Sequence, residues 1–100
     1  MRQAYTLLAH SYACRFGEID LIARKGDVIC FVEVKLRSNM KYGLPREAVT
    51  AGKRARIRKT ALHYLSVCEL EDCPTRFDVA EVYTDDTHTH ARIEYLENAF

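Results

Sequence analysis

Read for period, the chain falls into short apolar or alternating runs around one long segment of helical spacing. Tyr5 to His10 is mostly apolar and reads as a strand, although Leu7, Leu8 and Ala9 tolerate a helix. Glu18 to Ala23 (EIDLIA) and Val28 to Arg37 (VICFVEVKLR) flank Arg24-Lys25-Gly26-Asp27. Two β-rich runs around a glycine-containing turn predict an antiparallel hairpin. The second run is apolar on both parities through Val34, as a central strand covered on both faces requires. Ser38 to Pro45 gathers Ser, Asn, Gly and Pro and predicts a loop. From Arg46 to Cys68 the period changes: Ile57, Ala61, Tyr64, Leu65 and Cys68 recur at helical spacing. Pro45 suits the first turn of that helix and Glu47 complements its dipole. The polar stretch Glu69 to Thr75, with Pro74, ends it. Arg76 to Tyr83 and Arg92 to Leu96 read as strands, with Thr84 to Thr89 as the turn between them. Three strands, a helix and two strands predict an α/β or α+β sheet with a helical crossover, and of the two an α/β fold with a central mixed sheet is the one expected.

At 100 residues there is room for one core, so residues 1–100 are expected to form a single domain. With 48% hydrophobic and 29% charged residues, neither a disordered nor a fibrous chain is indicated. A net charge of +1 excludes a polycation that binds nucleic acid by composition alone. No apolar run reaches the ~20 residues of a membrane span, and the first residues lack the apolar stretch of a secretory signal. A cytoplasmic protein is expected. Cys14, Cys30, Cys68 and Cys73 lack the usual zinc-ligand spacing and read as reduced thiols, Cys30 as a buried one.

The hairpin carries the chemistry. Side chains alternate along a strand, so Glu33 and Lys35 share a face while Val34 points away. A turn about Lys25-Gly26 sets Asp20 opposite Phe31; a slip of two sets it opposite Glu33. Either register keeps Asp20 on the face of Glu33 and Lys35. Two carboxylates on a partly buried face repel and lose hydration, so a divalent cation is their natural partner. Hard oxygen ligands suit Mg²⁺ or Mn²⁺, whose remaining waters a substrate phosphate replaces. Lys35 is then placed to orient or deprotonate an attacking water and to stabilise charge on phosphorus. The plain alternative is a Glu33–Lys35 neighbour pair beside a solvated Asp20. On the metal reading, Asp20→Asn and Glu33→Gln each stabilise the metal-free protein by removing repulsion.

The helix concentrates Lys53, Arg54, Arg56, Arg58 and Lys59, with no acid between Ala48 and Val67. With Arg37 and Lys41 in the preceding segment they predict a basic rim that contacts phosphates with little sequence preference. An exposed helix kept soluble by charge is the alternative, although such helices usually mix signs. His88 and His90 beside Asp85 and Asp86 read as a solvated turn, and neither His10 nor His63 has a partner in sequence. Tyr12 and Tyr42 read as packing residues.

Gly17-Glu18-Ile19-Asp20-Leu21-Ile22, Phe31-Val32-Glu33-Val34-Lys35 with Arg37, Gly43-x-Pro45, Glu47-Ala48-Val49 and Lys53 together resemble the YraN-type (UPF0102) family of small bacterial proteins. Arg76-Phe77-Asp78-Val79 and the terminal Asn98-Ala99-Phe100 extend the likeness. That family is similar to Holliday-junction resolvases and, with them, to the PD-(D/E)xK nucleases. The resemblance implies a restriction-endonuclease-like fold, with Asp20, Glu33 and the Val34 carbonyl as metal ligands and Lys35 as the catalytic amine. It implies a Mg²⁺-dependent (or Mn²⁺-dependent) DNA endonuclease acting on branched or otherwise structured DNA. The rival reading is a catalytically impaired nucleic-acid-binding or assembly module that keeps the fold. Members of the family ordinarily begin with a helix whose glutamate faces the metal; here no Asp or Glu precedes Glu18, and a fold without that helix is expected. Two expectations follow: weak or no cleavage, and an uncovered patch at Ile29 and Phe31 that promotes a homodimer or lowers stability.

Overall fold

The computed structural model describes residues 4–37, 50–84 and 91–100. Its elements are β1 (Tyr5–Cys14), β2 (Gly17–Lys25), β3 (Val28–Arg37), α1 (Ala51–Val67), β4 (Thr75–Thr84) and β5 (Ala91–Leu96). The strands form one mixed sheet in the order β1-β2-β3-β4-β5. Only β3 and β4 pair in parallel. A parallel pair needs a long crossover where antiparallel neighbours need only a turn, and α1 lies in that crossover. The expected α/β architecture, mixed sheet and helical crossover are therefore all present.

Three boundaries differ from the sequence reading. β1 continues past His10 to Cys14, pairing Ala13 with Glu18 and Cys14 with Gly17. It has one neighbour strand, so polar His10 and Ser11 are tolerated where a central strand would exclude them. α1 starts at Ala51, not Arg46: Thr50 is extended at φ −66° and ψ 160°, and its side chain accepts from the Lys53 N–H. Thr50 is thus the N-cap of α1; Pro45 and Glu47 lie outside the described residues. At the other end Glu69 takes φ 58° while the Leu70 N–H donates to Leu65 O and the Glu69 N–H to Ser66 O. This is the Schellman arrangement, with a glutamate at the position that favours glycine. Thr84 belongs to β4, and the rest of the expected turn lies outside the described residues.

The core sits between the sheet and α1. Ile19, Ile22, Ile29 and Phe31 pack against Ile57, Ala61, Tyr64 and Leu65. Phe31 stacks on Phe77 with ring centroids 5.4 Å apart, and Phe77 meets Phe100 at 5.5 Å. Ile29 and Phe31 are 0% and 1% exposed, so the expectation that they stay open is wrong. They share the face that the crossover helix covers: α1 packs over β2 and β1, and its Tyr64 meets Phe31. The apolar groove lies on the opposite face, where about 550 Å³ is bordered by Tyr5, Leu7, Leu21, Val32, Ile93 and Tyr95.

One polar cluster is buried on that second face. Asp78, 0% exposed, accepts from Arg76 Nε at 2.9 Å, from the Asn98 N–H at 2.8 Å and from the Tyr95 hydroxyl. A buried carboxylate persists only when its lone pairs are met, and these donors meet them. The bond to Asp78 raises the Arg76 pKa above its ordinary value; burial, then the Asp78 bond, raise that of Tyr95.

Candidate functional site

The hairpin turn sets the position of Asp20. Gly26 takes φ 60° as the first of two turn residues, a place glycine fills in type II′ turns. The turn is therefore Gly26-Asp27, and Lys25 pairs with Val28 and Leu21 with Val32. This is the slipped register of the two considered, and one further step puts Asp20 level with Glu33. The regular β2–β3 ladder stops at Leu21 and Val32. Beyond it, the Val34 N–H donates at 2.8 Å to Asp20 Oδ2. The neighbouring strand is irregular at the same level: Ser11, between the Tyr12–Ile19 and His10–Leu21 pairs, takes φ 52°. Ile19 and Ile22, three apart, both reach the helix-side core, which a regular two-residue period forbids. The β2–β3 ladder thus ends here, and the Asp20 carboxylate meets β3 in the gap where the next ladder pair would lie. Within a strand the N–H and C=O of one residue point to the same side, so the Val34 carbonyl faces this gap as well.

Glu33 is more enclosed than Asp20, with 8% of its side chain exposed. Its Oε2 accepts from Lys53 Nζ, and Lys35 Nζ lies 3.9 Å away. Lys53 reaches across from the first turn of α1, close to its Thr50 cap. The Glu33 bond raises the Lys53 pKa above its ordinary value, against the lowering effect of burial. Asp20, Glu33, Lys53 and Arg56 border one polar cavity of about 230 Å³, floored by Gly17 and Ile57. Gly17, at φ 151°, permits the close approach of the helix: a Cβ there would lie 3.2 Å from Thr60 Oγ1 and 3.6 Å from Arg56 Cβ.

The sequence model of the Uncharacterised protein family UPF0102 matches residues 1–82. A UPF0102 protein of Syntrophus aciditrophicus is 49% identical over 96 residues, covering 96% of this chain and 74% of the relative. One from Nitrosomonas europaea is 43% identical over 99 residues, covering 99% and 80%. This chain belongs to the UPF0102 family. A relative from Caldicellulosiruptor saccharolyticus, 36% identical over 99 residues, covers 99% of it and 84% of its own length.

In this UPF0102 chain the basic residues of α1 divide. Lys53 and Arg56 line the cavity, whereas Arg58 lies over the Phe77 ring, 5.1 Å from its centroid. Lys59 stands two residues from both Ile57 and Ala61, on the solvent side of the helix. Arg54 is half-buried, and Lys41 lies outside the described residues with Tyr42, His88 and His90. Arg37 is on the Glu33–Lys35 face, but its guanidinium meets Glu81 at 3.1 Å.

Sequence reasoning missed two features. Glu81, 2% exposed and in register with Lys35, accepts from Arg37 and from the Tyr83 hydroxyl at 2.9 Å. Its signal was available: an acid in phase with Phe77 and Val79. The other is the Tyr12 hydroxyl, 2.6 Å from His63 Nδ1 across a separation of 51 residues, which no local pattern shows. All four cysteines are free and Cys30 is buried, as expected. Among the described residues no three His, Cys, Asp or Glu side chains gather as a metal group, and no helix is long and apolar enough to cross a membrane.

Proposed function

We propose that this UPF0102 protein is a Mg²⁺-dependent DNA phosphodiesterase of restriction-endonuclease-like, PD-(D/E)xK type, acting on branched or otherwise structured DNA. The observation that carries the reading is the convergence of Asp20 and Glu33 on one polar cavity rimmed by Lys53 and Arg56. The donor set fits the ion. Mg²⁺ usually takes one or two carboxylates and keeps several waters, so it needs no third acid. Asp20, Glu33 and the Val34 carbonyl would hold it, and when bound it supplies Lewis acidity and a more acidic water.

The remaining work falls to this chain's own groups. Lys35, with 16% of its side chain exposed, places an ammonium on the Glu33 face where charge builds on phosphorus. The Val34–Asp20 hydrogen bond fixes the Asp20 carboxylate before any ligand arrives. Exposed Arg56 supplies a phosphate contact at the cavity mouth, independent of base sequence. The test is cleavage of linear, flapped and four-way-junction DNA with Mg²⁺, Mn²⁺ or EDTA. Metal-dependent scission favouring the branched substrates is expected. One observation favours the alternative of a binding module without catalysis, namely the two ammonium groups that already neutralise Glu33. Tight junction binding with no scission under any metal would establish it.

A further inference from the structure

We infer that Lys53 is the resident counter-ion of Glu33, and that it and a divalent cation exclude one another from the same carboxylate oxygen. The inference rests on the metal reading above and adds a regulator to that site. Glu33 Oε2 is the atom met by Lys53 Nζ, and Glu33, Lys53 and Asp20 line the same cavity. An ammonium in contact with a carboxylate oxygen inside a confined cavity repels a cation that enters at that same oxygen, so inner-shell coordination there favours departure of the ammonium. Displacement is feasible for Lys53 in a way it is not for Lys35. The Lys53 side chain is 37% exposed, on a four-carbon stem rooted in the helix, so its head can swing to water. Lys35 is 16% exposed and rooted in the same strand as Glu33, two residues on. Lys53 therefore sets how readily the site loads, holding Glu33 in place while no ion is bound and leaving when one arrives.

The experiment is calorimetric titration of the metal-free protein with Mn²⁺ at physiological ionic strength, paired with melting temperatures with and without the ion. Wild type is compared with Lys53→Ala, Lys53→Arg, Arg56→Gln and Glu33→Gln. Lys53→Ala removes the competitor and should tighten Mn²⁺ binding by about tenfold, the scale of one charge-assisted hydrogen bond. It should also melt lower than wild type without Mn²⁺ and gain more from it, a pair of opposite signs that plain loss of packing does not give. Lys53→Arg should restore near wild-type affinity. Arg56→Gln removes one positive charge from the same rim without touching Glu33, and should tighten binding by less than about threefold through the screened field alone. If Lys53→Ala binds no tighter than Arg56→Gln while Glu33→Gln abolishes binding, the competition is refuted and the metal site stands. If neither wild type nor Lys53→Ala binds Mn²⁺, or Glu33→Gln binds it unchanged, the site and the competition fall together.

Discussion

Glu33→Gln is the substitution for which strand alternation and the folded structure disagree in sign. Alternation alone sets Asp20 against Glu33 and predicts relief when one is neutralised. In the fold the carboxylate meets Lys53 Nζ directly and Lys35 Nζ at 3.9 Å. Glutamine keeps the shape, removes the charge and leaves two ammonium groups facing each other across an amide. Two limits bracket the cost. Breaking a fully buried ion pair costs about 3–5 kcal/mol, whereas an exposed pair is worth about 0.2–1 kcal/mol. Glu33 is close to the first limit with 8% of its side chain exposed, but Lys53 at 37% can turn to water. The discounted cost is about 1–2 kcal/mol. For a domain of this size each kcal/mol moves the melting temperature by about 4–8 °C, so a fall of roughly 4–16 °C is expected. Thermal unfolding followed by circular dichroism in EDTA measures it. Adding Lys53→Gln to Glu33→Gln should recover at least half of the loss, since one orphaned charge is gone. A higher melting temperature for Glu33→Gln would mean that carboxylate repulsion dominates, and the reasoning would be refuted.

Other consequences are as specific. The folded pKa of Tyr95 lies above its ordinary value of 10.0 because the hydroxyl is buried and donates to Asp78. Its contribution to stability is therefore complete below pH ~10 and is lost as pH rises through the folded value. Denaturant titrations from pH 9 upward should show Tyr95→Phe losing stability less steeply than wild type, by an amount that the partial exposure of the ring reduces; parallel curves would contradict the assignment. Glu69→Gly should stabilise by about 0.5–1 kcal/mol, because glycine carries no Cβ penalty at φ 58°, and a lower denaturation midpoint would count against the cap geometry. Replacing Arg56 and Lys59 by Gln should lower the slope of log affinity against log salt on duplex DNA by about 0.9 for each phosphate that is no longer neutralised. Since Lys59 points away from the cavity, the single Arg56→Gln variant should account for most of the change in binding at the site, and equal effects would place the DNA differently.

What was legible in the sequence is what short range determines. The period of two around Glu33 and Lys35, the helical spacing of Ile57, Ala61, Tyr64 and Leu65, and the parity of Asp20 all survive into the fold. The register did not, because it turns on whether Gly26 opens or closes the hairpin turn, and the Arg24-Lys25-Gly26-Asp27 run permits both. The covered face did not either. β3 is apolar on both sides, so only the path of α1 decides that Ile29 and Phe31 are sealed and that Leu7 and Ile93 stay open at 57% and 65%. Lys53 read as one of five equivalent basic residues on α1. Its separate role exists only because Lys53, in the first turn after the Thr50 cap, reaches Glu33 on β3, a tertiary fact with no local trace.

The central claim is that Asp20 and Glu33 hold a metal ion for phosphodiester cleavage. Single-turnover cleavage of a four-way DNA junction in Mg²⁺, with wild type and Asp20→Asn matched for melting temperature in EDTA, tests it most directly. Asparagine can still accept from the Val34 N–H, so the fold is kept while the charge that draws the ion is lost. The account predicts scission by the wild type that EDTA abolishes, and a rate at least about a hundredfold lower in Asp20→Asn. Equal rates for the two proteins, or scission that persists in EDTA, would contradict it.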